Sequence, residues 1–149
     1  MMETYFHVGI LVKDLDAAMD RFRRVLQVSF RTPRVVQVSQ EHGRGETLAD
    51  LRFTYSYQGP PYYELLEAHD TGIFGLDQGE GPHHIGMWAP DGRERLRDLQ
   101  GRGLRPEIVQ YSGDGLLLFA YFERADLCGT RIEILDASQR AIHEAWMSR

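Results

Sequence analysis

Two stretches of the chain are near-copies of one another: YFHVGILV near the start and HHIGMWAP past the middle. Each places a His before an aliphatic residue, a Gly and a further apolar residue. In each, an Asp follows the His by seven positions, His7 to Asp14 and His84 to Asp91. Such self-similarity constrains a fold more than any single motif, because each copy must form one supersecondary unit and the copies must share a core. TYFHVGILV alternates and is rich in branched residues, so it reads as a strand. DLDAAMDRFRRVLQV then sets Leu15, Ala18 or Met19, Phe22, and Val25 or Leu26 on one helical stripe, with Asp14 or Asp16 as N-cap. RVVQVSQ, LRFTYSY and YYELLEA, separated by the polar turn EHGRGE and a Gly-Pro-Pro break, read as three strands of a meander. The second half repeats this order. HHIGMWA is a strand, DGRERLRDLQGRG is a helix capped by Asp91 and ended by Gly101 and Gly103, and RPEIVQY, GLLLFAYF and TRIEILD are strands. The expected fold class is α+β, with tandem βαβββ modules at residues 1–68 and 83–136. A Gly-rich linker at 69–82 joins them, and a tail at 137–149 is compatible with a short helix.

Composition fits one domain: 149 residues, 42% hydrophobic and 26% charged, are globular values. The net charge of -5 disfavours nucleic acid as a partner, which would call for a basic face. No apolar run approaches the roughly 20 residues of a membrane span, and the N-terminus lacks a basic-then-apolar leader. Cys128 alone can form no intrachain disulfide, so a cytoplasmic setting is expected, with neither membrane nor nucleic acid as partner.

Strand parity carries the functional argument. Residues i and i+2 share a sheet face. Val8, Ile10 and Val12 form one face of the first strand, and His7, Gly9 and Leu11 the other. Ile85 and Met87 oppose His84, Gly86 and Trp88; Ile132 and Ile134 oppose Glu133; Tyr63 and Leu65 oppose Glu64. Four strands thus pair an apolar face, suited to packing under helices, with one metal-capable side chain opposite. Singly, a strand His is more often a surface or hydrogen-bonded residue, and a strand Glu is usually solvated. Together, two imidazoles and two carboxylates at equivalent phases make a neutral site with one divalent cation, suited to Zn, Ni, Co, Mn or Fe.

The runs FHVGILVKDLDAAMDRFRRVL, YYELLEA, GEGPHHIGMWAPD and GTRIEILDA, which frame nearly the whole chain, resemble the vicinal oxygen chelate superfamily. That superfamily includes glyoxalase I, methylmalonyl-CoA epimerase, extradiol dioxygenases and the fosfomycin and bleomycin resistance proteins. The resemblance implies a single glyoxalase-like domain over 1–149, its sheet curled around a metal-binding cavity. It also implies ligands on the first and last strand of each module, which carries over to His7, Glu64, His84 and Glu133. His84 is chosen over His83 because it, like His7, precedes an aliphatic-Gly pair. His83 then points to the other face or begins the strand as a structural residue. Glu67 is a rival to Glu64 but has the opposite phase.

The function implied is that of a metal-dependent isomerase, epimerase or lyase. It would act on a carbonyl-containing small molecule through a metal-stabilised enolate, with Glu64 and Glu133 as catalytic carboxylates. Glu46, in the meander turn, is an alternative base. Two other readings stay open: a single-domain extradiol-type dioxygenase, and a metal-free binding or resistance protein. An aromatic stripe is more often core than binding site. Tyr62 and Trp88 nevertheless share phase with Glu64 and His84, and Phe53, Tyr55 and Tyr57 form one same-face set, with Leu117, Phe119 and Tyr121 another. Tyr62, Trp88, Tyr55, Tyr57, Phe119 and Tyr121 are therefore the candidate substrate contacts, pointing to an apolar or aromatic substrate. Arg31 and Arg34 are the cations a CoA ester's phosphates would need. A homodimer is expected by family habit.

Overall fold

The first helix starts where Asp14 accepts a hydrogen bond from the Ala17 amide at 2.9 Å, and the second where Asp91 accepts from the Glu94 amide at 3.0 Å. Both are side-chain caps of the kind that satisfy orphan amides of a first turn. The computed structural model describes residues 5–39 and 48–148, so Glu46 lies outside the described residues. The elements run β1 (Tyr5–Val12), α1 (Leu15–Leu26), β2 (Arg34–Ser39), β3 (Leu48–Tyr55) and β4 (Tyr62–Glu67). They then repeat as β5 (Gly81–Ala89), α2 (Gly92–Gly101), β6 (Pro106–Tyr111), β7 (Leu117–Phe122) and β8 (Ile132–Asp136), before a terminal α3 (Arg140–Met147). Among the described residues no helix is long and apolar enough to cross a membrane.

All eight strands form one sheet, in the order β2-β3-β4-β1-β5-β8-β7-β6. Each module's first and last strands pair in parallel, β1 with β4 and β5 with β8, and the modules meet where β1 runs antiparallel to β5. A parallel neighbour needs a crossover, and each module's helix lies on that connection. The sheet curls until its two edges meet, where the Gln110 side-chain amide donates to the Gln37 carbonyl at 2.9 Å.

The two sheet faces separate as alternation requires. Val12, Leu15 and Leu65 are buried with Ala18, Met19 and Phe22 of α1, and Leu96 of α2 packs with Ala120, Ile132 and Ile134. On the inner face Leu11, Val38, Leu51 and Leu66 form a cluster with Ile108 and Tyr121. The Gly-rich stretch between the modules contributes Ile73 and Phe74 to that same cluster, so it fills the interior as well as connecting. The C-terminal residues form α3, whose Trp146 and Met147 are buried against Phe6, Tyr55 and Leu135. The Arg31 guanidinium donates to the Trp146 carbonyl at 2.9 Å, and Arg34 lies over the Trp146 ring. Both arginines considered for phosphate contacts therefore hold this helix.

Simple alternation fails in several places, one of them at Phe6, where Tyr5 lies opposite Met87 but His7 opposite Gly86. A β-bulge interrupts the β1–β5 ladder, with Gly9 opposite His84 but Ile10 opposite Pro82. His83 falls in that bulge and is buried, its ring stacked on Phe74. It does not begin the strand, since β5 starts at Gly81. In the β6–β7 ladder, an irregularity between Gln110–Phe119 and Tyr111–Leu117 shifts the phase of β7. Leu117 consequently packs on the α2 side, apart from Phe119 and Tyr121. Finally, β3 ends at Tyr55, ahead of the Gly-Pro-Pro break, so Tyr57 does not continue its face. Tyr57 is 48% exposed and lies under the Arg31 guanidinium.

Candidate metal centre

Two rows of cross-strand partners build the site. Tyr55 on β3 pairs with Glu64 on β4, Glu64 with Gly9 on β1, and Gly9 with His84 on β5. The mirror row is Tyr121 on β7, Glu133 on β8, Gly86 on β5 and His7 on β1. Each row therefore crosses from one module into the other. The glycines are required by what lies above them. A Cβ on Gly9 would sit 2.0 Å from the His84 ring, and one on Gly86 would sit 1.9 Å from the His7 ring. Each imidazole occupies the space left by the other module's missing side chain.

The four donor atoms converge. The Nε2 atoms of His7 and His84 are 2.9 Å apart. His7 Nε2 lies 3.2 Å from Glu64 Oε2 and 3.0 Å from Glu133 Oε2, and His84 Nε2 lies 3.0 and 3.1 Å from the same two oxygens. All four residues are buried, with His7 at 0% exposure. Burying charges in this way costs several kcal/mol per ion unless they are compensated.

Electrostatics show what compensation the cluster demands. Burial alone would lower the His7 pKa, but Glu64 and Glu133 raise it to about 9. His84 is raised too, burial being overcome first by the charge of Glu133. Burial would raise both carboxyls, yet the imidazoles hold Glu64 and Glu133 below the ordinary carboxylate range. Without a metal, then, the cluster draws positive charge onto its imidazoles to balance two carboxylates.

A divalent cation meets that demand with both imidazoles neutral. The spacing agrees as well, since two atoms bonded at about 2.1 Å to one ion stand roughly 3 Å apart when at right angles. Glu64 Oε2 is buried and has no hydrogen-bond partner among the described residues, which suits a coordinating oxygen better than an acceptor. His7, Glu64, His84 and Glu133 form a group able to hold a metal ion.

The residues around this group sort clearly. Tyr55, Phe119 and Tyr121 line a cavity of about 210 Å³ that reaches Glu64 and Glu133. Burial and the adjacent Glu64 and Glu133 push the Tyr55 and Tyr121 hydroxyls well above their usual range, so both stay protonated and able to donate to those carboxylates. Trp88 stacks on Phe6 at 4.3 Å and Tyr62 packs against Tyr55; neither is among the cavity-lining residues, nor is Tyr57. Glu67 points away, as its phase requires, and accepts from the Leu15 amide at the start of α1.

His143 was missed in the sequence. It comes from α3, lines the cavity, and lies within 5.1 Å of Tyr55 and 5.5 Å of Trp88, ring centre to ring centre. Burial lowers its pKa, which keeps it neutral. The available signal was the i, i+3, i+4 spacing of His143, Trp146 and Met147, one face of a short helix.

The family model for the glyoxalase/bleomycin resistance protein/dioxygenase superfamily matches residues 6–121. The chain belongs to that superfamily. Among solved structures, a methylmalonyl-CoA epimerase variant from Streptomyces coelicolor, in complex with 2-nitronate-propionyl-CoA, is similar at a TM-score of 0.68. It has 22% identity, with 91% of this chain and 95% of that one covered. A hypothetical protein from Bacillus halodurans is similar at 0.64, with 18% identity and coverage of 91% and 95%. Methylmalonyl-CoA epimerase from Mycobacterium tuberculosis is similar at 0.63, with 19% identity and coverage of 91% and 92%. At these identities the likeness establishes the fold. Among curated protein sequences none matches the chain. Within the superfamily frame, the cluster occupies the first and last strands of both modules, β1, β4, β5 and β8.

Proposed function

We propose that the chain is a metal-dependent isomerase, epimerase or lyase that removes a proton next to the carbonyl of an apolar or aromatic small molecule. One observation carries this reading: two imidazole nitrogens, 2.9 Å apart and each 3.0–3.2 Å from the same two carboxylate oxygens, sit buried beside an apolar cavity. His7, Glu64, His84 and Glu133 would hold the ion. A divalent cation held there supplies Lewis acidity, stabilising the negative charge that a carbonyl oxygen acquires as the neighbouring C–H proton leaves and an enolate forms.

The chain's own groups supply the rest. Glu64 and Glu133 line the cavity and are the proposed proton-transfer carboxylates. Tyr55 and Tyr121 orient them from the adjacent strands. Val36, Leu51, Phe53 and Phe119 give the cavity apolar walls, and a less polar surrounding strengthens charge interactions. His143, neutral and on the cavity wall, is placed to hold or relay a proton on the side contributed by α3. Methylmalonyl-CoA, the kind of ester bound by an epimerase of similar fold, is the first acid to test, alongside uncharged aryl ketones that fit the apolar walls.

Elemental analysis of protein purified without chelators should find about one divalent metal per chain. In deuterated water, mass spectrometry should detect label entering the position beside the carbonyl of a substrate, and chelation should abolish that exchange. Oxygen consumption with the same compounds would point instead to the dioxygenase reading. Metal-free protein whose behaviour chelators leave unchanged would overturn the proposal.

A further inference from the structure

The doubled His of HHIGM has a use that the cluster of four leaves unexplained. Adjacent strand residues ordinarily face opposite ways, but the bulge in β5 lets His83 and His84 lie ring to ring. Their Nδ1 atoms are 2.9 Å apart and both residues are buried. His83 Nε2 lies 2.7 Å from the Ile73 carbonyl oxygen. A carbonyl can only accept, so Nε2 carries the proton. A second proton on His83 would put a positive charge on a buried ring, stacked on Phe74 and next to Arg131, whose guanidinium donates to the His83 carbonyl at 3.3 Å. His83 Nδ1 is therefore an acceptor, and the hydrogen in the 2.9 Å contact belongs to His84 Nδ1. Once a cation takes over the charge balance and His84 is neutral, that leaves its Nε2 with the lone pair, and Nε2 is the atom facing His7, Glu64 and Glu133.

We infer that His83 is a positioning residue for the metal centre: through the chain Ile73 C=O, His83, His84 it fixes the His84 tautomer whose Nε2 can bind a cation. The first module has no such device. The residue before His7 is Phe6, its ring edge-on to His7, and His7 Nδ1 has no hydrogen-bond partner among the described residues. Partners that orient a ligating imidazole in this way commonly govern metal affinity. The inference rests on the reading of His84 as a metal ligand, and its test separates the two.

Chelator-stripped wild-type protein, His83→Asn and His83→Phe are titrated with cobalt(II) and with zinc(II) against a competing dye. Asn keeps an acceptor, whereas Phe keeps a ring against Phe74 without one. Wild type and His83→Asn should bind within a few-fold of each other, and His83→Phe roughly 10–100-fold more weakly. In zinc-loaded wild type labelled with 15N-histidine, NMR should show His83 protonated at Nε2 and a 15N–15N coupling across the Nδ1–Nδ1 hydrogen bond. Undiminished affinity in His83→Phe, or a His83 proton found on Nδ1, overturns the positioning role while leaving the ligand reading intact. A wild type that binds neither metal overturns the ligand reading and the positioning role with it. The NMR measurement needs no substitution, so it decides the question even if His83→Phe does not fold.

Discussion

The two modules match at the centre and differ around it. Each supplies a His, a Gly, a Tyr and a Glu in the same register, and each adds a second carboxylate three residues after the Glu. Glu67 accepts from the Leu15 amide at the start of α1, and Asp136 accepts from the Gly92 amide at the start of α2. The surroundings diverge: His84 is backed by His83 and Ile73, while His7 Nδ1 has no such partner. One carboxylate per module faces the interior and one anchors the helix, a division common to both modules. The parts held in common are those that four converging atoms demand; the parts that differ adjust one ligand at a time.

The largest effect should come from removing a donor. His7→Ala and His84→Ala are each expected to lower metal affinity by more than roughly 100-fold, beyond the loss typical of an outer partner. Metal titration checks this, and a variant that retains wild-type affinity breaks the equivalence of the modules.

Next comes pH. Folded His7 is raised from 6.5 to about 9. In metal-free protein its contribution to stability is therefore full below pH about 6.5 and lost as the pH rises through about 9, on the order of 3 kcal/mol at most. Glu64 and Glu133 are depressed, so the sign reverses on the acid side: their contribution is present above pH about 4.5 and lost as the pH falls toward their folded values. Denaturant unfolding should show the alkaline loss without metal and little of it with metal.

Gly9→Ala and Gly86→Ala should each cost about 1–3 kcal/mol, because the added methyl overlaps an imidazole ring. Each should also weaken metal binding through the His of the opposite module, visible in a cobalt spectrum.

Smallest are the helix anchors. Asp136→Asn and Glu67→Gln should cost about 0.5–2 kcal/mol. Asp136 should cost more, being buried and also accepting from the Ser138 amide at 2.9 Å, whereas Glu67 is a third exposed. Thermal melts in parallel rank the pair.

Where the strands are regular, their phase was legible from the residues alone. His7 and Glu64 were separable from Val8 and Leu65, and Glu67 from Glu64, because period-two alternation holds from His7 to Leu11 in β1 and across β4. Reading failed where the ladder slips. The bulge at His83 and the shift at Leu117 each place a residue on the face its parity forbids, and a slip depends on partners remote in sequence. Tyr57 was misplaced because the end of β3 could not be located to within two residues. His143 was invisible for another reason: α3 docks through Arg31 and Arg34, about a hundred residues earlier. Tail composition carries no trace of where such a helix will settle.

The His-over-Gly contacts obey the rule of an isologous interface, in which residue i of one copy meets j of the other and j meets i, although both copies here lie in one chain. Injury is therefore reported across the join. A substitution at Gly9 is in effect a lesion of the second half, and one at Gly86 a lesion of the first. Neither half can be repaired by changes confined to itself.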